Sequence, residues 1–167
     1  TDMSNMFKDC SNLTTLDVSD FDTNNVTNMR FLFSCCEQIT SLDVSNFNTS
    51  NVTDMMSMFD RCYNLMSLNV SKFDTNNVTD MSYMFNGCYN LTPLNVSNFN
   101  TSNVTNMRFL FSCCSNLTSL DISNFDTSNV TNMRSMFDEC STLQAIYVSN
   151  LWNISNVTSS DYMFNGC

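Results

Sequence analysis

Histidine is absent from this chain of 167 residues, and glycine and proline are nearly so, at 2 and 1. Two glycines exclude the glycine-rich nonapeptide calcium coil, and a loop-rich fold built on ordinary turns would need more of both residues. Basic side chains are also scarce. Six Lys and Arg against 16 Asp and Glu leave a net charge of −10, which argues against nucleic acid, whose phosphates need a basic footprint. The same deficit argues against electrostatic docking on anionic lipid, while cationic partners and divalent metal stay open. No apolar run approaches the ~18 residues of a membrane span, so no direct membrane insertion is expected of this segment. No signal peptide or anchor is visible. Thr1 and Cys167 both fall inside a repeat, so the chain reads as a fragment of something longer.

What is present is periodic. Val26, Val52, Val78, Val104 and Val130 recur every 26 residues, each followed by Thr. Phe7, Phe33, Phe59, Phe85, Phe111 and Phe137 keep the same step, and Val157, Phe164 and Cys167 arrive one residue late. One insertion therefore lies between Ser149 and Asn156. The unit is L-x-x-L-D/N-V-S-x-F-D/N-T-x-N-V-T-x-M-x-x-M/L-F-x-x-C-x-x, and its L-x-x-L segment begins at Leu13, Ile39, Leu65, Leu91, Leu117 and Leu143. Residues 1–167 are expected to form a single array of about six 26-residue coils, with 143–167 as a divergent terminal repeat.

Within a unit, Leu42 and Val44 alternate with Ser41, Asp43 and Ser45, the period-2 signature of a strand with one buried face. Phe47 to Asn51 reads as a polar corner. Val52, Met55, Met58, Phe59 and Cys62 then fall at a spacing that suits a helical turn, although V-T-x-M alone also suits a short second strand. A single unit buries too little apolar surface to offset the entropy of ordering it, so such chains fold only as stacks.

Stacking turns repeated residues into columns. Cys10, Cys36, Cys62, Cys88, Cys114, Cys140 and Cys167 form one. Zinc ligation is not expected without CxxC pairs or His; the column reads as reduced, buried thiols acting as small hydrophobes. Cys35 and Cys113 lie three coils apart, roughly 14 Å at the ~4.8 Å strand spacing, so they do not bridge each other and are candidate exposed thiols. Asn25, Asn51, Asn77, Asn103, Asn129 and Asn156 precede each Val-Thr. Their side chains are expected to satisfy corner backbone groups, or their backbones to take the left-handed conformation glycine would otherwise supply. Ser19, Ser45, Ser71, Ser97, Ser123 and Ser149 read as a similar hydrogen-bond ladder.

Fourteen N-x-S/T sequons are by-products of the repeat, because glycans on every turn of one column are too bulky for a ~4.8 Å spacing. Asp17, Asp43, Asn69, Asn95, Asp121 and Tyr147 form a column on the outer strand face, and a second column, Asp22, Asn48, Asp74, Asn100 and Asp126, alternates charged and neutral residues. Relief of like-charge repulsion explains the alternation; calcium between coils is the competing reading. No other cofactor is implied.

The residues that vary between units carry the candidate binding surface. Phe31, Tyr83, Phe109 and Tyr162 share one position, Tyr63 and Tyr89 stand on the neighbouring segment, and Arg30, Arg108 and Arg134 accompany the first group. Aromatic and Arg side chains favour interfaces.

The motifs L-T-S-L-D-I-S-N-F (Leu117–Phe125) and N-V-T-N-M-R-S-M-F-D-E-C (Asn129–Cys140) resemble the BspA-like leucine-rich-repeat family, in the variant of about 25 residues known from mycoplasma lipoproteins and bacterial cell-surface proteins. The resemblance covers essentially the whole chain. It implies a leucine-rich-repeat-like parallel solenoid (an α/β repeat), secreted or anchored on a bacterial surface, with adhesion to a host or neighbouring-cell protein or glycan. It carries over no catalytic or ligand residues. Because no nucleophile–base pair, metal cluster or phosphate loop is present, an enzyme is not expected. The alternative to an adhesin-type module is a structural stalk, or a subunit that associates end to end into a fibre.

Overall fold

A computed structural model describes all 167 residues. The period of the sequence is the period of the structure. Asp2, Asn28, Asp54, Asp80, Asn106, Asn132 and Ser159 bridge one another in parallel, each to the next, so residues one repeat apart sit on successive rungs. These seven residues mark coils one to seven, the last comprising only the segment that follows Ser159. On the opposite wall, β1 (Ser41–Leu42) pairs in parallel with β2 (Ser67–Leu68), and β3 (Ser119–Asp121) with β4 (Ala145–Tyr147).

The expected strand in every coil is thus realised in four of them. The wall breaks at coil four, where Pro93 stands at the position of Ser41, Ser67 and Ser119; proline has no N–H to donate to a ladder. The strands are not what chiefly binds the coils. Of 81 backbone hydrogen bonds, 79 lie outside them.

The segment M-x-x-M-F-x-x-C is neither a helix nor a strand, and its V-T-x-M start is only a single-residue bridge. Alternate amides leave the coil: Phe31, Phe33 and Cys35 donate to Met56, Met58 and Asp60 of the next coil at 2.8–2.9 Å. The amides between them close turns at home, with Leu32 donating to Met29 and Ser34 to Phe31, both at 3.2 Å. An α-helix would need all of these donors for its own i−4 carbonyls. Here the next coil takes half of them. Phe31 and Cys35 accordingly adopt φ of +57° and +60°, the left-handed third position of a type II turn, where glycine is the usual occupant.

The apolar positions that suggest a helical face are still the interior. Val52, Met55, Met58, Phe59, Cys62 and Leu65 are all fully buried, within a cluster of 43 buried apolar residues that runs the length of the stack. Phe59 lies between Phe33 and Phe85, with centroids 5.7 and 5.8 Å away. The supposed polar corner also contributes. Phe47 and Thr49 are buried, and only Asn48, Ser50 and Asn51 turn outward. No helix is long and apolar enough to cross a membrane.

Candidate functional site

The corners are held by carboxylate and amide side chains accepting the backbone N–H two residues on. Asp17 takes Ser19 at 2.9 Å, Asp22 takes Asn24 at 3.0 Å, and Asn28 takes Arg30 at 3.0 Å. The arrangement repeats in later coils, for example at Asp43, Asn48 and Asp54. This geometry holds the exposed Asp17, Asp43 and Asp121 below the usual carboxylate range through their bonds to Ser19, Ser45 and Ser123. It also assigns the serine column a different role from the one expected. Ser19, Ser45, Ser71, Ser97 and Ser123 serve as turn donors within their own coil, and only Ser149 extends its hydroxyl to another coil, donating to the Ser123 carbonyl at 2.5 Å.

The asparagine column is an inter-coil ladder. Asn51, Asn77, Asn103, Asn129 and Asn156 donate Nδ2 to the carbonyls of Asn24, Ser50, Asn76, Ser102 and Ser128 at 2.7–2.9 Å. Asn25, in the first coil, offers its own carbonyl to the Thr1 amino group. None of the six takes a left-handed backbone. The left-handed residues form two other columns, one of them Asn5, Phe31, Ser57, Tyr83, Phe109, Ser135 and Tyr162, the other Asp9, Cys35, Arg61, Gly87, Cys113, Glu139 and Gly166. Both glycines of the chain fall in the second.

Sequence reasoning missed the threonine column. Thr23, Thr49, Thr75, Thr101 and Thr127 are buried, and Thr75 donates to the Asn100 carbonyl at 2.9 Å while accepting the Asn100 N–H at 2.8 Å. The Thr that recurs two residues after the corner Phe in five of the units was the available signal.

All nine thiols are free. Cys36, Cys62, Cys88, Cys114 and Cys140 are buried, Cys10 is half-buried and Cys167 exposed. They are not merely small hydrophobes: six of them donate to the carbonyl of a phenylalanine one coil below. Burial pushes Cys36 and Cys140 up to about 12. Cys35 and Cys113 are half-buried rather than exposed, beside the hydroxyls of Ser34 and Ser112 at 3.7 and 3.6 Å. Desolvation raises Cys35 as well.

The varying aromatic and basic residues gather on the turn face in separate groups. In the first, the Arg30 guanidinium and Lys8 Nζ each lie 5.0 Å from the Phe31 centroid. Arg30 also approaches Asp54 at 3.9 Å. In the second, Tyr83 and Phe109 stack on successive coils, 4.8 Å apart and 6° from parallel. Arg108 lies 5.2 Å from both centroids. Its Nη2 donates to the Tyr83 hydroxyl at 2.5 Å, which fixes the guanidinium beside the pair. In the third, Tyr63 and Tyr89 stack at 4.9 Å, and desolvation raises Tyr63. Arg134 lies 5.9 Å from the Tyr162 ring. The buried Ser57 separates Phe31 from Tyr83, so the two are not brought together.

No three His, Cys, Asp or Glu side chains converge where a metal ion could sit. At the Asp columns, one carboxylate oxygen of each turn is already engaged. The most apolar concavity is the uncovered face of the last coils, lined by Leu143, Ile146, Val148, Trp152 and Phe164.

A family model described as "Mycoplasma protein of unknown function, DUF285" matches residues 1–91 and again residues 64–167. No curated protein and no solved structure matches the chain.

Proposed function

The chain belongs to the DUF285 mycoplasma repeat family, and on that premise we propose that it is a non-catalytic binding module of a cell-surface protein. In this reading the stack is a leucine-rich-repeat solenoid of the BspA-like kind, outside the cell, and its turn face meets a protein or glycan as an adhesin does. One observation carries the reading. The positions that vary between otherwise uniform coils hold Phe31, Tyr83, Phe109 and Tyr162, and they draw Lys8, Arg30, Arg108 and Arg134, four of the chain's six cations, to one face. A repeat selected only for stacking has no need of such groups. Aromatic and Arg anchors surrounded by near-neutral contacts are the usual composition of a binding hot spot.

Ser57 and Ser135 occupy the same column, so Tyr83→Ser and Phe109→Ser import a side chain the coil already accepts. The experiment is to screen the protein on glycan and protein arrays, then repeat any hit with the doubly substituted chain. A hit lost in the variant, with thermal unfolding nearly unchanged, supports the reading. A hit that survives places binding elsewhere. Elongation with concentration in sedimentation, with blank arrays, would favour the stalk or fibre instead.

A further inference from the structure

Independently of the binding face, we propose that residues 91–95 of coil four form a strap that opens locally, ahead of the rest of the stack, and uncovers the apolar interior between coils three and five. The starting point is the break in the β wall at Pro93. Ser41, Ser67 and Ser119 stand at the same position in coils two, three and five, and coils two, three, five and six contribute paired strands. Coil four, between them, contributes none.

Little holds the strap to its neighbours. Met66 and Gln144 donate their amides to the carbonyls of Thr40 and Thr118, one coil below, at 3.0 and 2.9 Å. The equivalent bond in coil four, from Thr92 to Met66, stretches to 3.4 Å, and Pro93 has no N–H to follow it. The amides of Leu94 and Asn95 have no backbone acceptor. Above the strap, no amide between Leu117 and Ile122 donates to coil four. Both ends, by contrast, are pinned. Asn90 donates Nδ2 to the Tyr63 carbonyl at 3.0 Å, and its Oδ1 accepts Asn116 Nδ2 at 3.0 Å. Past the strap, Asn98 Nδ2 donates to the Ser71 carbonyl, and Asn124 Nδ2 to the Val96 carbonyl at 3.1 Å. A segment tied by one long bond between two fixed points swings out without dismantling the coil.

The buried side chains of Leu91 and Leu94 keep the strap closed. Packing is loosest at this junction. Leu68 and Leu94, on either side of the break, keep 7% exposure, against 4% for Leu42 and 1% for Leu120 in the paired coils. The outer surface is grooved at the same place, where Ser41, Asp43, Ser67, Asn69 and Pro93 line a depression. A buried amide without an acceptor is costly to keep from water, and segments with few backbone bonds open at free energies well below that of global unfolding. Opening here hydrates the Leu94 amide and breaks only the Thr92 bond. In coils three and six the same movement would tear a strand from its partner.

The test compares Leu94→Cys with Leu42→Cys in the intact chain, reading alkylation of the introduced thiol by peptide mass spectrometry. The thiol at position 94 is expected to react at least tenfold faster than that at position 42. Pro93→Ser imports the residue of coils two, three and five and supplies the missing N–H. It should slow the reaction at position 94 at least tenfold and leave position 42 unchanged. Hydrogen exchange reads the same opening without a new cysteine. The Leu94 amide should exchange at least tenfold faster than that of Ile122, which is bonded to Tyr147 at 2.9 Å, and Pro93→Ser should remove the difference. Equal alkylation at the two positions overturns the inference. So does exchange at Leu94 that matches Ile122 in the wild type, or that ignores Pro93→Ser. Where a cysteine variant fails to fold, the exchange comparison decides alone.

Discussion

The thiol of Cys88 donates to the backbone carbonyl oxygen of Phe59, one coil below, across 3.2 Å. The same carbonyl accepts the Cys62 N–H at 3.2 Å, so one oxygen joins two coils. The contact recurs from Cys36 on Phe7 to Cys167 on Phe137, always between 3.1 and 3.3 Å. A reduced thiol is therefore part of every junction, and a thiolate is not tolerated there.

That requirement makes the fold sensitive to alkali. Burial raises all five enclosed thiols, Cys36 and Cys140 to about 12 and Cys88 and Cys114 well above the usual value. In the unfolded chain they ionise near ~8.5. Between these limits the unfolded state binds fewer protons than the folded one, so stability is complete below the unfolded value and falls as pH rises through this window. Each thiol contributes a slope of about 1.4 kcal/mol per pH unit. Urea midpoints should hold steady from neutral to mildly alkaline pH and then drop steeply, and Cys88→Ala should flatten the drop while lowering the neutral midpoint. A midpoint indifferent to alkali would show that the thiols are not enclosed.

Thr75 offers a second test. Its hydroxyl both donates to and accepts from the backbone of Asn100, and the residue is 1% exposed. Thr75→Val keeps the shape but strands a buried N–H and a carbonyl, each costing about 1–3 kcal/mol. Thr75→Ser keeps both bonds and loses one methyl, about 1 kcal/mol. Chemical denaturation should rank the variants wild type, Ser, Val. If Val matches or exceeds Ser, the threonine column is packing alone.

The period of 26, the rung-over-rung stacking and the apolar columns were legible because Val, Phe, Cys and Leu recur at fixed steps. The path of the chain between Met55 and Cys62 was not. Apolar residues at i, i+3 and i+7 mark an inward face for a helix and for a run of turns alike, and the choice was made by donors such as the Ser57 and Phe59 amides finding acceptors on the next coil. A single coil contains no information about that partner. The turn-forming positions were hidden for a related reason. Left-handed backbone is normally signalled by Gly or Asn, but here Phe31, Tyr83 and Phe109 adopt it, held by identical turns above and below. At the candidate face, the list of aromatic and Arg residues came from their variation between units, whereas their grouping, such as Arg108 with Tyr83, required the coordinates.

Stacked phenylalanines give the simplest measure of the interior. Phe85 is fully buried and lies 5.8 Å from both Phe59 and Phe111. Phe85→Ala should cost about 3–5 kcal/mol, because rigid neighbours on both sides cannot collapse into the space. Hydrogen exchange should accelerate most in coils three to five. Uniform acceleration along the chain would mean that the stack unfolds as one unit.

Gly87 separates backbone strain from steric contact. Its φ is +72°, and a Cβ there would stand 3.3 Å from Tyr63 Cε1 and 3.4 Å from the Arg61 Cα. Arg61, one coil below, adopts the same left-handed backbone with a long side chain at φ +59°, so the column does not demand glycine for strain alone. Gly87→Ala carries the left-handed cost of about 1–2 kcal/mol and presses on the Tyr63 ring, which must move away from Tyr89. Gly87→Asn brings the same Cβ, but Asn enters the left-handed region more readily. If strain dominates, Asn will be clearly milder than Ala in denaturation and both will keep the tyrosine signal in near-ultraviolet circular dichroism. If the Tyr63 contact dominates, the two will be equally destabilised and both will lose it. The close approach to a backbone atom on one side and a stacked ring on the other favours the second outcome, since neither neighbour swings aside as a flexible side chain would.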